Sequence, residues 1–358
     1  MNSYGETLKI TIFGQSHGPA IGVVIDGFPA GFTIDRDVLQ RFLSRRAPGG
    51  ASYATPRKEA DLPEFIAGLA DGKTCGAPIT AIIRNTDTRS VDYSALRDVP
   101  RPSQADYSAF VKFHGQNDIA GSGQFSGRLT APLCIAGGLC LQYLKQRGIA
   151  IGAHILSIGN ADDITFDPVN PQISALTGDR PFVLNASAWD SMLAEIEAAK
   201  AKEDSVGGII ECAVTGVPAG YGSPMFAGIE NRIAQIVFGI PAVKGLSFGS
   251  GFAGSRLHGS QNNDPYVMDG DTVRTKTNNH GGVLGGITTG MPILFQAAFK
   301  PTSSIGIEQD SVSLSRRENV KLTIEGRHDP CIVPRAVPAV EAAAAVAVCD
   351  ILLGNQER

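Results

Sequence analysis

Glycine constrains this chain more than any other residue. Of 358 residues, 42 are glycine, set in short clusters from one end to the other. Glycine loses more backbone entropy on folding than any other residue and is kept where the chain turns left-handed or another backbone comes close. Punctuation this frequent calls for short elements joined by many tight loops around a compact core. No linker and no low-complexity tail collects the glycines, and the length suits two ordinary domains or one large one.

The apolar patterning between the glycines supplies the elements. "LKITIFG" and "IGVVIDGFP" are β-branched and apolar and read as two strands flanking a turn that holds Ser16 and His17. "DRDVLQRFLSRRAPGG" places Val38, Leu39, Phe42 and Leu43 at helical spacing before a Pro-Gly stop. "APLCIAGGLCLQYLKQRG", "ASAWDSMLAEIEAAKAKED", "FAGIENRIAQIVFGI" and "PAVEAAAAVAVCDILLG" read as further helices, and "VGGIIECAVTGVPAGYG" as a strand and turn. "VVIDGFPAG" (Val23–Gly31) and "CAVTGVPAG" (Cys212–Gly220) share one frame, apolar-x-x-Gly-x-Pro-Ala-Gly. That repeat hints at two related halves, each a sheet with helices, in an α+β layered fold.

Composition narrows the function classes. A hydrophobic share of 43% and a net charge of −4 fit a soluble globular protein with no basic field for nucleic acid. "MNSYGETLKI" lacks a basic and apolar leader, so a cytoplasmic location is expected. The apolar segment near residue 340 carries Glu341 and Asp350 and reads as a buried helix, with no membrane role. The six cysteines form no CxxC pair, which points to reduced thiols and away from zinc or a disulfide framework.

Cations gather beside Gly, Pro and Ser. Arg45, Arg46, Arg57 and Lys58 lie in one span, Arg128 follows "GSGQFSG", and "KPTSS" (Lys300–Ser304), Arg327 and Arg335 come late. Arginine forks and Gly/Ser loops both hold phosphate and carboxylate, so a polyanionic small-molecule ligand is expected. Among the histidines, His17, His114, His280 and His328 sit in loop-like contexts, whereas His154 and His258 read as structural. Their spacing gives no HExxH or Cys/His metal set. "GGVLGG" does not fit a dinucleotide fingerprint, there is no P-loop, and no GxSxG elbow supports a hydrolase built on Ser16.

"FGQSHGPAIGVVIDGFPAG", "TPRKEAD", "SGRLTAPL", "IPAVKGLSFGSGF", "NNHGGVLGGITTGMPI", "KPTSSI" and "GRHDPCIVPRAVPAVEAA" occur in that order, and together they resemble the chorismate synthase family over nearly the whole chain. The resemblance implies a single domain over residues 1–358, a β-α-β sandwich, usually a homotetramer. It implies a lyase that converts 5-enolpyruvylshikimate 3-phosphate to chorismate by anti-1,4-elimination of phosphate in the shikimate pathway. Reduced FMN would be required. With no extra domain, NADPH would enter only indirectly, through an external flavin reductant. Carried over by position, His17 is the acid for the departing phosphate and Asp329 works with the flavin in removing the ring proton. Ser16, Arg45, Arg46 and Arg128 hold the substrate. Arg46, Gln124, Phe125, Ser126, Ala242, Gly285, Lys300, Pro301, Thr302, Ser303, Ser304 and Arg327 form the cofactor site, with no metal.

Several positions depart from the family pattern. Gln15 stands where a glutamate is usual, Ala47 where a third arginine is, and Gln124, Phe125 and Gly127 alter the flavin loop. Gln104 replaces a histidine thought to act on the flavin, and glutamine donates hydrogen bonds but cannot carry charge. Two outcomes stay open at this point: an active enzyme, or an impaired paralogue that binds flavin or a phosphorylated ligand.

Overall fold

The computed structural model describes residues 2–48, 59–86, 96–176, 182–324 and 329–355. Chain order in the first half is β1 (Ser3–Tyr4), β2 (Lys9–Gly14), β3 (Ala20–Asp26), α1 (Arg36–Arg46) and β4 (Glu64–Ala67). A small hairpin follows, β5 (Leu69–Ala70) with β6 (Lys73–Thr74), and then β7 (Ile79–Arg84), α2 (Asp106–Lys112) and α3 (Thr130–Lys145). The second half opens with β8 (Ala150–Ile158), β9 (Ala161–Asp162), α4 (Ala186–Ala201), β10 (Gly208–Thr215), α5 (Ile229–Val237) and β11 (Val243–Phe248). After two short helices, α6 (Gly251–Gly254) and α7 (Gly259–Asn262), come hairpins β12 (Tyr266–Asp269) with β13 (Thr272–Thr275) and β14 (Val283–Leu284) with β15 (Ile287–Thr288). Then β16 (Ile293–Phe299), β17 (Gln309–Ser313), β18 (Glu318–Leu322) and α8 (Val333–Asn355) complete the chain.

Two antiparallel five-stranded sheets result, ordered β1-β2-β3-β7-β4 and β11-β16-β10-β8-β9. Helices α1, α3, α5 and α8 pack between them, α3 on β3 and β7, α8 on β8 and β10. The expected α+β sandwich of two related halves is the observed one. Apolar residues of both sheets and these helices merge into one main core, and a smaller cluster of Phe166, Ala213 and Leu294 covers the other face of the second sheet. At Gly137 in α3 a β-carbon would overlap Ala342 in α8, so this glycine lets the two central helices touch backbone to backbone. Among the described residues α8 is the one helix long and apolar enough to span a membrane, and 94% of its apolar window is buried inside the protein.

The repeated frame marks the same place in each half. It ends β3 and β10, the central strands of their sheets. The likeness runs further than the frame. In the first half Thr74 Oγ1 donates to Pro29 O at 2.6 Å and accepts from Phe32 N at 2.9 Å. In the second Thr288 Oγ1 donates to Pro218 O at 2.7 Å and accepts from Tyr221 N at 2.9 Å. These threonines lie in "GLADGKTCGAPI" (Gly68–Ile79) and "GVLGGITTGMPI" (Gly282–Ile293), a second repeat that apolar periodicity does not reveal.

Candidate active site

The segment that precedes α3 faces the β2–β3 turn. That turn is closed by Gly18 N donating to Gln15 O at 3.1 Å, and Ser16 N reaches across to Gly123 O at 3.1 Å. Ser16 is buried and His17 half-buried. Residues 121–123 run left-handed in succession, with φ of +57, +71 and +52 for Gly121, Ser122 and Gly123. Only this backbone brings Gly121 against the His17 imidazole, where a β-carbon would overlap the ring.

A circuit of hydrogen bonds joins this turn to the rest of the site. Asn85 Nδ2 donates to Gln15 O at 3.0 Å and Gly18 O at 2.8 Å, and Asn85 Oδ1 accepts from Arg128 Nε at 3.2 Å. Asp61 receives Arg128 through Oδ1 and Arg46 through Oδ2, the latter from Nε at 2.8 Å. Arg335 Nε donates to Arg46 O at 3.2 Å while its Nη1 binds Asp329 Oδ2 at 2.6 Å. Thr302 Oγ1 donates to Asp329 O at 2.8 Å. Two residues on, Ser304 Oγ accepts from Arg101 Nη1 at 3.3 Å, and Arg101 Nη2 donates to Ser122 Oγ at 3.0 Å. The circuit closes there, beside His17.

Its electrostatics are set by buried pairs. Burial alone would raise the Asp61 carboxyl, but the Arg46 and Arg128 charges outweigh it and hold Asp61 below its usual range. Arg128 is pulled down by burial and by the neighbouring Arg46 charge. Glu59 Oε2 lies 3.5 Å from Arg128 Nη2 and takes Thr86 Oγ1 at 3.1 Å, so two arginines share two carboxylates out of water. Arg101 is clasped by Asp106 through 2.7 and 2.8 Å bonds. None of Asp61, Glu59, Asn85, Arg101, Asp106 or Ser122 emerged from sequence reasoning; an ion-pair partner 67 residues away leaves no local pattern.

The residues expected to act are distributed unevenly. Ser16, His17, Arg46, Arg128, Thr302, Ser304 and Asp329 lie on the circuit, and Ala242 joins its edge by accepting Lys300 N at 3.0 Å. Ser126 caps the turn before α3 by accepting Arg128 N at 3.3 Å. Among the described residues Arg45 turns to a different carboxylate. Its fork is bidentate to Glu341 at 2.6 and 3.0 Å, under the Phe182 ring. Gln124 is exposed and bonds Asn2, and Phe125 leans on Phe113. Gly285 sits exposed at the β14–β15 tip. Arg327, with Arg57, Lys58 and His328, lies outside the described residues. Two other histidines are held by carboxylates: His154 by Glu211 at 3.0 Å in the core, as expected of a structural residue, and His280 by Asp264 at 2.5 Å. His114 is an exposed residue at the end of α2.

The cofactor-side residues fit a phosphate-bearing group. Burial, with Lys244 beside it, lowers the Lys300 amine, and among the described residues neither lysine meets a carboxylate. The hydroxyls of Thr302 and Ser304 follow within four residues, and a β-carbon at Gly285 would meet nothing within 4 Å. A two-sheet sandwich whose histidine-bearing turn is tied through Asn85 to buried Arg128, and through Ser122 and Arg101 to a cationic hydroxyl-bearing segment, is the frame of a phosphate-eliminating lyase.

The comparisons with known proteins specify which one. The family model for chorismate synthase matches residues 8–353. The chorismate synthase of Lancefieldella parvula is 47% identical, over 98% of this chain and 96% of its own length. That of Thermococcus kodakarensis is 45% identical over 98% and 97%. A crystal structure of chorismate synthase superposes with a TM-score of 0.76 at 27% identity, over 98% of this chain and 93% of that one. The chain belongs to the chorismate synthase family, enzymes of aromatic amino acid biosynthesis that use reduced FMN.

Proposed function

We propose that the hydrogen-bonded circuit encloses the single site where 5-enolpyruvylshikimate 3-phosphate and reduced FMN meet and where phosphate is eliminated to give chorismate. The path from the Ser16–His17 turn through Asn85, Arg128, Asp61, Arg46, Arg335, Asp329, Thr302, Ser304, Arg101 and Ser122, which returns to the turn through the Gly123 O bond to Ser16 N, carries this reading. As the carbon–oxygen bond breaks, its electron pair leaves with the phosphate, and His17 gives that group a proton. Arg46 and Arg128, with Ser16, hold the substrate's anionic groups, and Asp61 sets the angle between the two guanidinium forks. Arg45 is left out of the substrate set because its fork turns to Glu341 on α8, away from the Asp61 carboxylate that Arg46 and Arg128 share. Asp329, steadied by Arg335, is the carboxylate assigned to the ring proton.

Lys300 to Ser304, Ala242, Gly285, Ser126 and Arg327 are the residues assigned to the cofactor. Bound reduced FMN supplies an electron-rich ring that stabilises electron deficiency on the substrate ring. An external reductant delivers it, with NADPH acting only indirectly. A cytoplasmic homotetramer is the proposed form. Six cysteines without a disulfide support the compartment, and exposed Met225, Phe226, Phe252, Tyr266 and Met268 in the second half support association.

Anaerobic titration of reduced FMN into wild type and Lys300→Met tests the cofactor assignment. Affinity about tenfold weaker in the variant is expected, on the scale of one charge-assisted hydrogen bond. Equal affinity would move the flavin phosphate elsewhere.

A further inference from the structure

Ser122 occupies a backbone conformation that suits glycine, and its hydroxyl is held from two sides. With φ +71 it stands between two left-handed glycines. Its Oγ accepts Gln104 Nε2 at 2.9 Å and Arg101 Nη2 at 3.0 Å. The Gln104 amide is oriented independently, since Oε1 accepts Ala105 N at 3.1 Å and leaves Nε2 to face Ser122. Arg101 can only donate, and Asp106 locks its fork. A hydroxyl has two lone pairs and one proton. With both lone pairs engaged, the Ser122 proton is turned away from Gln104 and Arg101, and among the described residues no acceptor takes it.

The surroundings say what should receive that proton. Gly121, one residue before, lies against His17, and Arg101 also reaches Ser304 on the cofactor-side segment. The hydroxyl is therefore polarised by a buried cation at the seam between the two halves of the site. We propose that Ser122 is a ligand-contacting hydrogen-bond donor of this site, serving an oxygen that bears negative charge. Arg101 and Gln104 act through it as positioning residues. The oxygen belongs either to the departing phosphate or to the ring of the reduced flavin. Gln104, which cannot carry charge, then works by aiming a neighbour that a guanidinium has made a stronger donor. This inference rests on the site reading above.

The test uses Ser122→Gly, which suits the left-handed backbone, with Ser122→Ala beside it. Two dissociation constants are measured: reduced FMN under anaerobic conditions, and 5-enolpyruvylshikimate 3-phosphate in the presence of oxidised FMN. One of the two should weaken about tenfold in Ser122→Gly, with the melting temperature held. Loss confined to FMN assigns the acceptor to the flavin, and loss confined to the substrate assigns it to the phosphate. Gln104→Ala should weaken the same ligand and have no further effect once Ser122 is glycine. Both affinities within twofold of wild type in Ser122→Gly would overturn the proposal. The site reading is checked separately by His17→Ala turnover, which does not depend on Ser122.

Discussion

The α-carbon of Gly121 lies against the imidazole of His17, and a β-carbon added there would overlap Nδ1 and come within 2.9 Å of Ser16 Oγ. No other residue type fits this contact, because the φ of +57 and the lack of space exclude a side chain together. Gly121→Ala should therefore displace His17 and lower turnover by about 10²-fold, the scale of general acid catalysis. Gly259→Ala, where a β-carbon meets nothing within 4 Å, is the control and should match wild type. Steady-state kinetics with circular dichroism of both variants decides it.

Asp61 is the hinge of the buried charge cluster. Asp61→Asn leaves Arg46 and Arg128 facing each other without their carboxylate and should cost about 3–5 kcal/mol of stability at neutral pH. The sign of the pH dependence follows from a carboxyl held below its ordinary value of 3.8. Its contribution is complete above that value and is lost as pH falls through the lower folded value. Urea unfolding below pH 4 should show a steeper loss in wild type than in Asp61→Asn. Parallel curves would remove Asp61 from the account.

Arg45 and Arg46 are neighbours in sequence, yet a helix turns successive side chains about 100° apart, which sends one to Glu341 and the other to Asp61. Arg45→Met should lower the melting temperature while leaving KM for the substrate within twofold. A large rise in KM at unchanged stability would return Arg45 to the substrate set.

The two halves predict matched mutants. Thr74→Val and Thr288→Val each strip a buried hydroxyl that donates to one proline carbonyl and accepts one amide. Each should cost about 1–3 kcal/mol by denaturant unfolding. A neutral result in one half alone would show that the symmetry is only geometric.

Much of the frame was legible because it is written in apolar spacing. The strands around Ser16–His17, the helices of the middle layer and the Gly-x-Pro-Ala-Gly frame all lie where the patterns place them. The Gly68–Ile79 and Gly282–Ile293 pair was not legible, since its likeness resides in turn residues with no hydrophobic period. At the site, residue types pointed to anion binding, but pairing was hidden. Nothing local says that Arg46 and Arg128 share Asp61, or that Arg101 joins Ser122 to Ser304. A lone serine in a glycine loop carries no signal until its two donors are seen.

The most direct test of the account is anaerobic turnover of wild type and His17→Ala with chemically reduced FMN and 5-enolpyruvylshikimate 3-phosphate. Chorismate is followed by absorbance and phosphate by release. Wild type should form the two products in equal amounts despite Gln104, and His17→Ala should fall by about 10²-fold while still binding reduced FMN. A His17→Ala enzyme as fast as wild type, or a wild type that binds flavin and releases no phosphate, would contradict it.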